Sequence, residues 1–193
     1  MFKEKLAIII ATKDRHNELN RLLKNISEQE FRPRQIIIVD GGRLAVEKDA
    51  YKSYEPQVEY IRVRPASLTV QRNIGVSAIS DEITLVCFFD DDIVLEENCL
   101  INMMNFWESA SEDIAGASFN NTNDIYKKPT FIERLFLVNA DKPGRILASG
   151  FQSKICSVEK TMPVEWLAGY AMAFKKYIFK EFRFDEWFSG YSQ

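Results

Sequence analysis

Asp90, Asp91 and Asp92 stand side by side directly after the apolar run Ile83–Phe89. Three adjacent negative charges repel one another, and at the mouth of a buried strand they must be hydrated or paired with something positive. A solvated helix start explains part of this, because Glu96 and Glu97 open the helical run Asn98–Trp107 and anions favour helix N-termini. It does not explain carboxylates that abut the strand itself. Oxygen-rich clusters suit hard divalent ions, and Mg2+ or Mn2+ is commonly held by one or two carboxylates with water and substrate phosphate completing the shell. A metal bridging the triplet to a diphosphate fits these residues best. Two other polar clusters close apolar runs in the same way: Thr12, Lys13, Asp14 and Arg15 after Leu6–Ala11, and Asp40, Gly41 and Gly42 after Gln35–Val39. Asp-Gly-Gly also suits a tight turn that uses glycine's access to positive φ. Set beside the other two clusters, it is expected to bring Asp40 to a ligand.

Clusters so far apart in sequence meet only if the fold gathers strand ends. Leu6–Ile10, Gln35–Val39, Val58–Val63 and Ile83–Phe89 read as strands, and most are apolar without interruption, as strands buried on both faces are. Between them, Asn17–Ile26 carries apolar residues at 19, 22, 23 and 26, and Thr69–Ser80 places Val70, Ile74 and Ala78 on one helical face. The polar run Leu44–Tyr54 is compatible with a third helix. The alternation predicts an α/β fold, Rossmann-like, with a mostly parallel sheet and helices on both faces. Ligands bind such sheets outside the carboxyl ends of the strands, at a switch in strand order, which is where the three clusters lie.

Composition narrows the partners. A chain of 193 residues that is 46% hydrophobic can bury the core of one domain, and a net charge of −3 with a pI near 5.4 gives no reason to expect nucleic acid. Cys87, Cys99 and Cys156 are odd in number and lack metal-ligand spacing, so they read as small core residues of a reducing compartment. Leu6–Ala11 is too short to span a bilayer, and a cytoplasmic location is expected, the inner face of the membrane included. His16, the single histidine, reads as a surface or capping residue.

Four motifs in order, Ile8–Arg15, Ile37–Gly42, Gln71-Arg72-Asn73-Ile74-Gly75 and Phe88–Asp92, resemble glycosyltransferase family 2 of GT-A fold across residues 5 to 95. The resemblance implies a nucleoside-diphosphate-sugar donor and transfer to a hydroxyl acceptor, a glycan or lipid-linked glycan, by metal-assisted and inverting displacement. It implies donor contacts from Thr12, Lys13, Arg15, Asp40 at the base, Arg72 at the nucleotide end, Asp90, and Asp91 beside ribose or sugar. Asp90 and Asp92 match the Asp-x-Asp signature and would hold Mn2+ or Mg2+, with Asp92 the direct ligand. Lys13 departs from the pattern, standing where many relatives place an aromatic near the base; it would reach a phosphate instead.

The same resemblance continues through Trp166–Lys176, which matches a segment near the acceptor site and assigns acceptor contacts to Trp166, Gly169 and Tyr170, with Lys175 or Lys176 where an arginine is usual. Residues 1–118 would form the donor-binding half and 119–193 part of the acceptor-binding half of one domain. Phe184–Tyr191 matches the approach to the family's catalytic carboxylate pair, which places the general base beyond Gln193 and leaves Asp185 and Glu186 as nearby stand-ins. Asn120–Thr161 reads as a long excursion with one amphipathic piece, Thr130–Leu137, an acceptor lid or a lipid- or partner-facing patch. Two other enzyme classes share strand-end aspartates. A haloacid-dehalogenase-like phosphatase would carry its aspartates after the first strand, and a nucleotidyltransferase would carry a glycine-rich loop there; Ala11–Asn17 has neither pattern. A nucleotide-sugar binding module without turnover is the non-enzymatic alternative.

Overall fold

A computed structural model of the chain describes residues 2–47, 51, 52, 54, 58–124, 127–155 and 157–188. Strand β1 (Leu6–Thr12) is buried along its whole length and sits inside the sheet. It pairs in parallel with β2 (Gln35–Asp40) on one side and β4 (Leu85–Asp90) on the other, and β3 (Val58–Arg62) pairs in parallel with β2. A short β5 (Gly116–Ser118) and β6 (Ala171–Lys175) complete the order β3-β2-β1-β4-β6-β5, with β6 antiparallel to β4. This is the mostly parallel, helix-flanked α/β sheet that the strand pattern predicts. The antiparallel β6 is the addition, for its short apolar run carries no sign of direction.

Helix α1 (His16–Glu28) buries Leu19, Leu22, Leu23 and Ile26, the four positions its spacing marks, each burial worth roughly 1.5–3 kcal/mol. Helix α2 (Leu68–Ser77) departs from expectation. Its buried residues are Gln71, Arg72, Asn73, Gly75 and Val76, whereas Val70, Ile74 and Ala78, the face expected from apolar spacing, are only half-buried. Gly75 explains how the helix lies so close to the sheet: a Cβ there would stand 2.5 Å from Ile9 Cγ2, so any side chain would push α2 away from β1. Helix α3 (Cys99–Ser109) buries Leu100, Met103, Met104 and Trp107. The described residues between Leu44 and Tyr54 form no helix. Cys87 is buried and Cys99 half-buried, whereas Cys156 lies outside the described residues.

The chain divides into two compact units, one formed by residues 1–116 and 169–193, the other by residues 117–168. In the first, the N-terminal end of the sheet is tied by Lys175, whose Nζ donates to Glu4 Oε1 at 2.5 Å and stands 5.1 Å from the Trp107 ring centre. In the second, helix α4 (Phe131–Leu135) is held by a capping box: Glu133 N–H donates to Thr130 Oγ1 at 3.2 Å and Thr130 N–H to Glu133 Oε2 at 2.7 Å. None of its residues is buried. That unit instead organises itself on fully buried Ser153, whose hydroxyl accepts from Arg145 N–H and donates to the Lys142 carbonyl. Among the described residues no helix is long and apolar enough to cross a membrane.

Candidate functional site

Strand order reverses around β1: the chain passes from β1 to β2 on one side, then returns across β1 to β4 on the other. The register sets Thr12 opposite Asp40 and Ala11 opposite Asp90, so all three polar clusters open at the carboxyl end of the sheet, at its switch point.

The aspartate triplet splits three ways there. Asp91 turns inward and is buried, with Oδ2 accepting from the Thr12 hydroxyl at 2.7 Å and Oδ1 from Arg15 Nη1 at 3.1 Å. Burial raises its pKa more than Thr12 and Arg15 lower it. Asp92 is exposed and accepts from the same Arg15 Nη1 at 2.9 Å. Arg21 donates to its carbonyl at 3.1 Å. Asp90 is half-buried, with Oδ1 accepting from Arg72 Nη2 at 3.1 Å. Burial again pushes this carboxyl up, Arg72 opposes that, and the charges of Asp92 and Asp91 push further up. Arg15 is correspondingly harder to deprotonate, chiefly through the charge of Asp91. Among the described residues no three His, Cys, Asp or Glu side chains converge as a metal-holding group.

Helix α2 supplies the polar floor through the three residues that break its apolar pattern. Gln71, fully buried, donates from Nε2 to the Thr12 carbonyl at 2.9 Å and the Val39 carbonyl at 2.7 Å, tying the ends of β1 and β2 together. Arg72 donates to Asp90 and, at 2.7 Å, to the Gly169 carbonyl, while its guanidinium lies over the rings of Phe184 and Phe88. The Tyr170 carbonyl accepts from Asp90 N–H at 2.9 Å, so Gly169 and Tyr170 are both fastened to the Arg72–Asp90 pair through their backbone. Asn73 donates to the Phe184 carbonyl at 2.9 Å and Glu186 Oε1 at 2.8 Å, and accepts from Phe184 N–H at 3.0 Å. Thr69 holds the Phe188 carbonyl at 3.1 Å, so the strap from Phe184 to Phe188 follows α2 toward its N-terminal end. Asp185 caps the Trp187 N–H at 2.9 Å. Asn73, Ser77, Arg183, Phe184, Asp185 and Glu186 line a shallow cleft of about 480 Å3 on this flank.

Asp40 is buried completely. Its Oδ1 accepts from Gly42 N–H at 2.6 Å and its Oδ2 from the Tyr60 hydroxyl at 2.5 Å. Gly42 is required by close approach, because a Cβ would stand 2.8 Å from both Asp14 N and Asp40 Oδ1. Lys13 is exposed at the rim. Thus Thr12, Arg15, Asp91 and Asp92 form one hydrogen-bonded set and Arg72, Asp90, Gly169 and Tyr170 a second, the two adjoining through the chain from Asp90 to Asp91; Asp40 stands one strand away, and Asp185 and Glu186 belong to the strap. Trp166 lies in the second unit, where its Nε1 donates to the Ser153 carbonyl at 3.2 Å. Lys175 pairs opposite Leu85 and Ala171 opposite Phe89, which puts the lysine at the far end of the sheet from Asp90. Sequence reasoning missed Gln71 and Tyr60. The polar run Gln71–Asn73 inside a helical pattern was the available signal for the first, and nothing in Val58–Val63 singles out Tyr60.

The family model of glycosyl transferase family 2 matches residues 7–182. No match is found among curated protein sequences. Among solved structures, this fold is similar to S. aureus TarS 1-349 (TM-score 0.59, 13% identity, covering 92% of this chain and 48% of that one). It is also similar to the mannosyltransferase PcManGT from Pyrobaculum calidifontis in complex with GDP-Man and Mn2+ (TM-score 0.60, 15% identity, 93% and 47%). A third likeness is to 4-diphosphocytidyl-2C-methyl-D-erythritol synthase from Anaerococcus prevotii (TM-score 0.52, 15% identity, 91% and 71%). The chain spans about half the length of the first two. At such identities the likenesses establish the fold, and the family rests on the match that runs from the first residues of β1 to the segment after β6: the chain belongs to glycosyl transferase family 2.

Proposed function

We propose that this chain binds a nucleoside-diphosphate sugar at the switch point and transfers the sugar, with inversion, to a hydroxyl of a glycan or lipid-linked glycan. The observation that carries this reading is the Asp90–Arg72 pair: a half-exposed carboxylate, pushed up by burial and by its neighbours, beside a guanidinium fixed by the Gly169 carbonyl. Asp90 and Asp92 both reach solvent, whereas Asp91 spends its oxygens on Thr12 and Arg15. Two accessible carboxylates fit Mg2+ or Mn2+ held jointly with substrate oxygens, and do not fit an all-protein cage. When bound, such an ion neutralises charge developing on the departing nucleoside diphosphate.

In this reading the chain's own residues do the following. Arg72 supports the nucleotide end of the donor from its fixed position. Arg15 and Lys13 stand at the rim for phosphate, Arg15 oriented by Asp91, which is itself fixed by Thr12. Asp40 serves the base, and Asp91 lies beside ribose or sugar. Gly169 and Tyr170 present backbone beside the Asp90–Arg72 pair, where the acceptor hydroxyl would arrive. Inverting attack also needs a carboxylate to take the hydroxyl proton. Asp185 and Glu186 are the strap's carboxylates, and at Phe188 the strap meets Thr69 near the N-terminal end of α2. A nucleotidyl-transfer reading shares the fold, but the connection from Lys13 to Arg15 has no glycine to let backbone close around a triphosphate. Calorimetric titration with uridine and guanosine diphosphates tests the proposal. Binding should tighten with Mn2+ or Mg2+, and Asp92→Ala should abolish the metal-dependent part; equal affinity in the presence of chelator would refute it.

A further inference from the structure

Helix α4 turns its apolar side to solvent. Phe131, Ile132, Leu135 and the cap residue Phe136 have the spacing of one helical face, and each is at least 62% exposed. The polar side is used within the unit, Glu133 in the capping box and Arg134 in an ion pair with Asp141 at 3.2 Å. A second apolar piece adjoins the helix: the turn from Arg145 to Ser153 exposes Ile146 and Phe151, and Ser149 at its tip donates to the Leu137 carbonyl just past α4. Helix and turn thus join into one exposed apolar surface inside the second unit. Its backbone is largely tied off. Beside the two bonds of the capping box, Val138 N–H donates to the Glu133 carbonyl at 2.9 Å and Ile146 N–H to Glu165 Oε2 at 2.8 Å. In the turn, the N–H groups of Leu147 and Gly150 donate to the Phe151 and Leu147 carbonyls, both at 2.8 Å. An apolar phase offers no partners to open backbone, so this internal pairing lets the surface enter one.

Charge identifies the phase. Residues 117–168 hold seven Lys and Arg against five Asp and Glu, a net +2, whereas the rest of the chain carries −5, so this is the unit that an anionic surface attracts. Three of its five acids are engaged internally: Asp141 by Arg134, Glu165 by Arg145 at 2.8 Å, and Glu133 by Thr130. The Thr130 hydrogen bonds hold the Glu133 carboxyl below its ordinary value, and the charge of Lys154 adds to them. Lys127 and Lys128, exposed just ahead of the helix cap, and exposed Lys142 make no ion pair among the described residues. We propose that α4 and the Arg145–Ser153 turn dock this unit onto an anionic lipid bilayer. The apolar side chains enter the boundary between headgroups and acyl chains, and Lys127, Lys128 and Lys142 rest against lipid phosphates. Docking does not depend on the donor-binding reading. Joined to that reading, it favours a lipid-linked acceptor over a free glycan.

The test is co-sedimentation, without nucleotide, with vesicles of phosphatidylcholine alone and of an equimolar mixture with phosphatidylglycerol. Wild type should bind the mixed vesicles about tenfold more tightly than the neutral ones. Lys127→Gln combined with Lys128→Gln should remove most of that preference. Phe131→Gln combined with Phe136→Gln should weaken binding to both vesicles by about tenfold. All four side chains are exposed, so the denaturant midpoints of both variants should match wild type, which separates lost docking from lost folding. Wild type that stays in the supernatant, or that binds both vesicles equally, would overturn the proposal. So would phenylalanine variants that sediment like wild type. Self-association in light scattering that the phenylalanine variant abolishes, without vesicle binding, would assign the surface to a second copy of the chain and overturn it as well. Donor binding is read separately, by calorimetry without vesicles, and stands or falls on its own.

Discussion

The two ends of the central sheet treat buried carboxylates in opposite ways. At the amino-terminal end, burial pushes Glu4 up, but hydrogen bonds from Lys175 and Thr84 and the charge of Lys175 outweigh it, and the carboxyl lies below its ordinary value. At the carboxyl end, burial of Asp90 and Asp91 outweighs Arg72, Thr12 and Arg15, and both carboxyls lie above theirs. The first end resolves its own electrostatics and contributes stability. The second holds negative charge that its protein partners do not fully offset, the condition under which a cation or a cationic part of a ligand is drawn in. The same β4 that ends in Asp90 begins opposite Lys175, so one strand joins the two arrangements.

The sharpest way to break this contrast is to remove the cation at the satisfied end. Lys175→Met leaves Glu4, only 7% exposed, without its cation and with only the Thr84 hydrogen bond. Breaking a nearly buried pair from one side costs about 3 kcal/mol, and the effect should appear as a lower denaturant midpoint at unchanged slope. Nucleotide affinity should be unaltered, because the site lies at the other end of the sheet. A loss of affinity without loss of stability would show that the two ends are not divided as described.

This contrast was only partly legible in sequence. Continuous apolar runs gave the parallel strands, and residues 19, 22, 23 and 26 gave the buried face of α1, because packing against a sheet is what those patterns serve. The three strand-end clusters likewise announced where polar residues would gather. Apolar spacing failed on α2, whose inner face meets carbonyl ends of strands and so is built from Gln71, Arg72 and Asn73; there hydrogen bonding, not hydrophobicity, decides which side is buried. On α4 the apolar residues Phe131 and Ile132 stay 72% and 65% exposed, as a lid or a lipid- or partner-facing patch would have them, and a capping box fixes the short helix locally. The pairing of Glu4 with Lys175 and of Asp40 with Tyr60 joins positions whose distance in sequence hides them.

Acid should separate the ends next, with a smaller effect. A carboxyl whose folded pKa is depressed binds fewer protons in the folded than in the unfolded chain, so its contribution to stability is complete above the ordinary glutamate value of 4.5 and is lost as pH falls through the depressed one. Wild type should therefore lose stability relative to Glu4→Gln as pH is lowered below 4.5, and the two curves should run parallel above it. Asp90 and Asp91 act with the reverse sign: the folded chain holds their protons more tightly, so their part of the stability falls as pH rises above the ordinary aspartate value of 3.8. Denaturant midpoints measured across this range in chelating buffer check both signs. If Glu4→Gln and wild type respond identically to acid, the Lys175 pair is not what holds Glu4 down.

The smallest change in stability should come from the residue with the greatest expected consequence for binding. Asp92 is exposed, its ion pair with Arg15 leaves both side chains about half in water, and Arg15 keeps its second bond to Asp91 when Asp92 is neutralised. Exposed pairs are worth about 0–1 kcal/mol, and Asp92→Asn also removes repulsion that helps push Asp90 up. The two effects oppose, so the denaturant midpoint should stay within about 0.5 kcal/mol of wild type or rise slightly. Metal-dependent nucleotide affinity should fall by far more, since Asn supplies a neutral oxygen where the proposal requires a charged one. Side-by-side unfolding and calorimetric titrations of this one variant decide the matter. A marked loss of stability would place Asp92 with Glu4 among the carboxylates that hold the fold, whereas unchanged metal-dependent binding would remove it from the site.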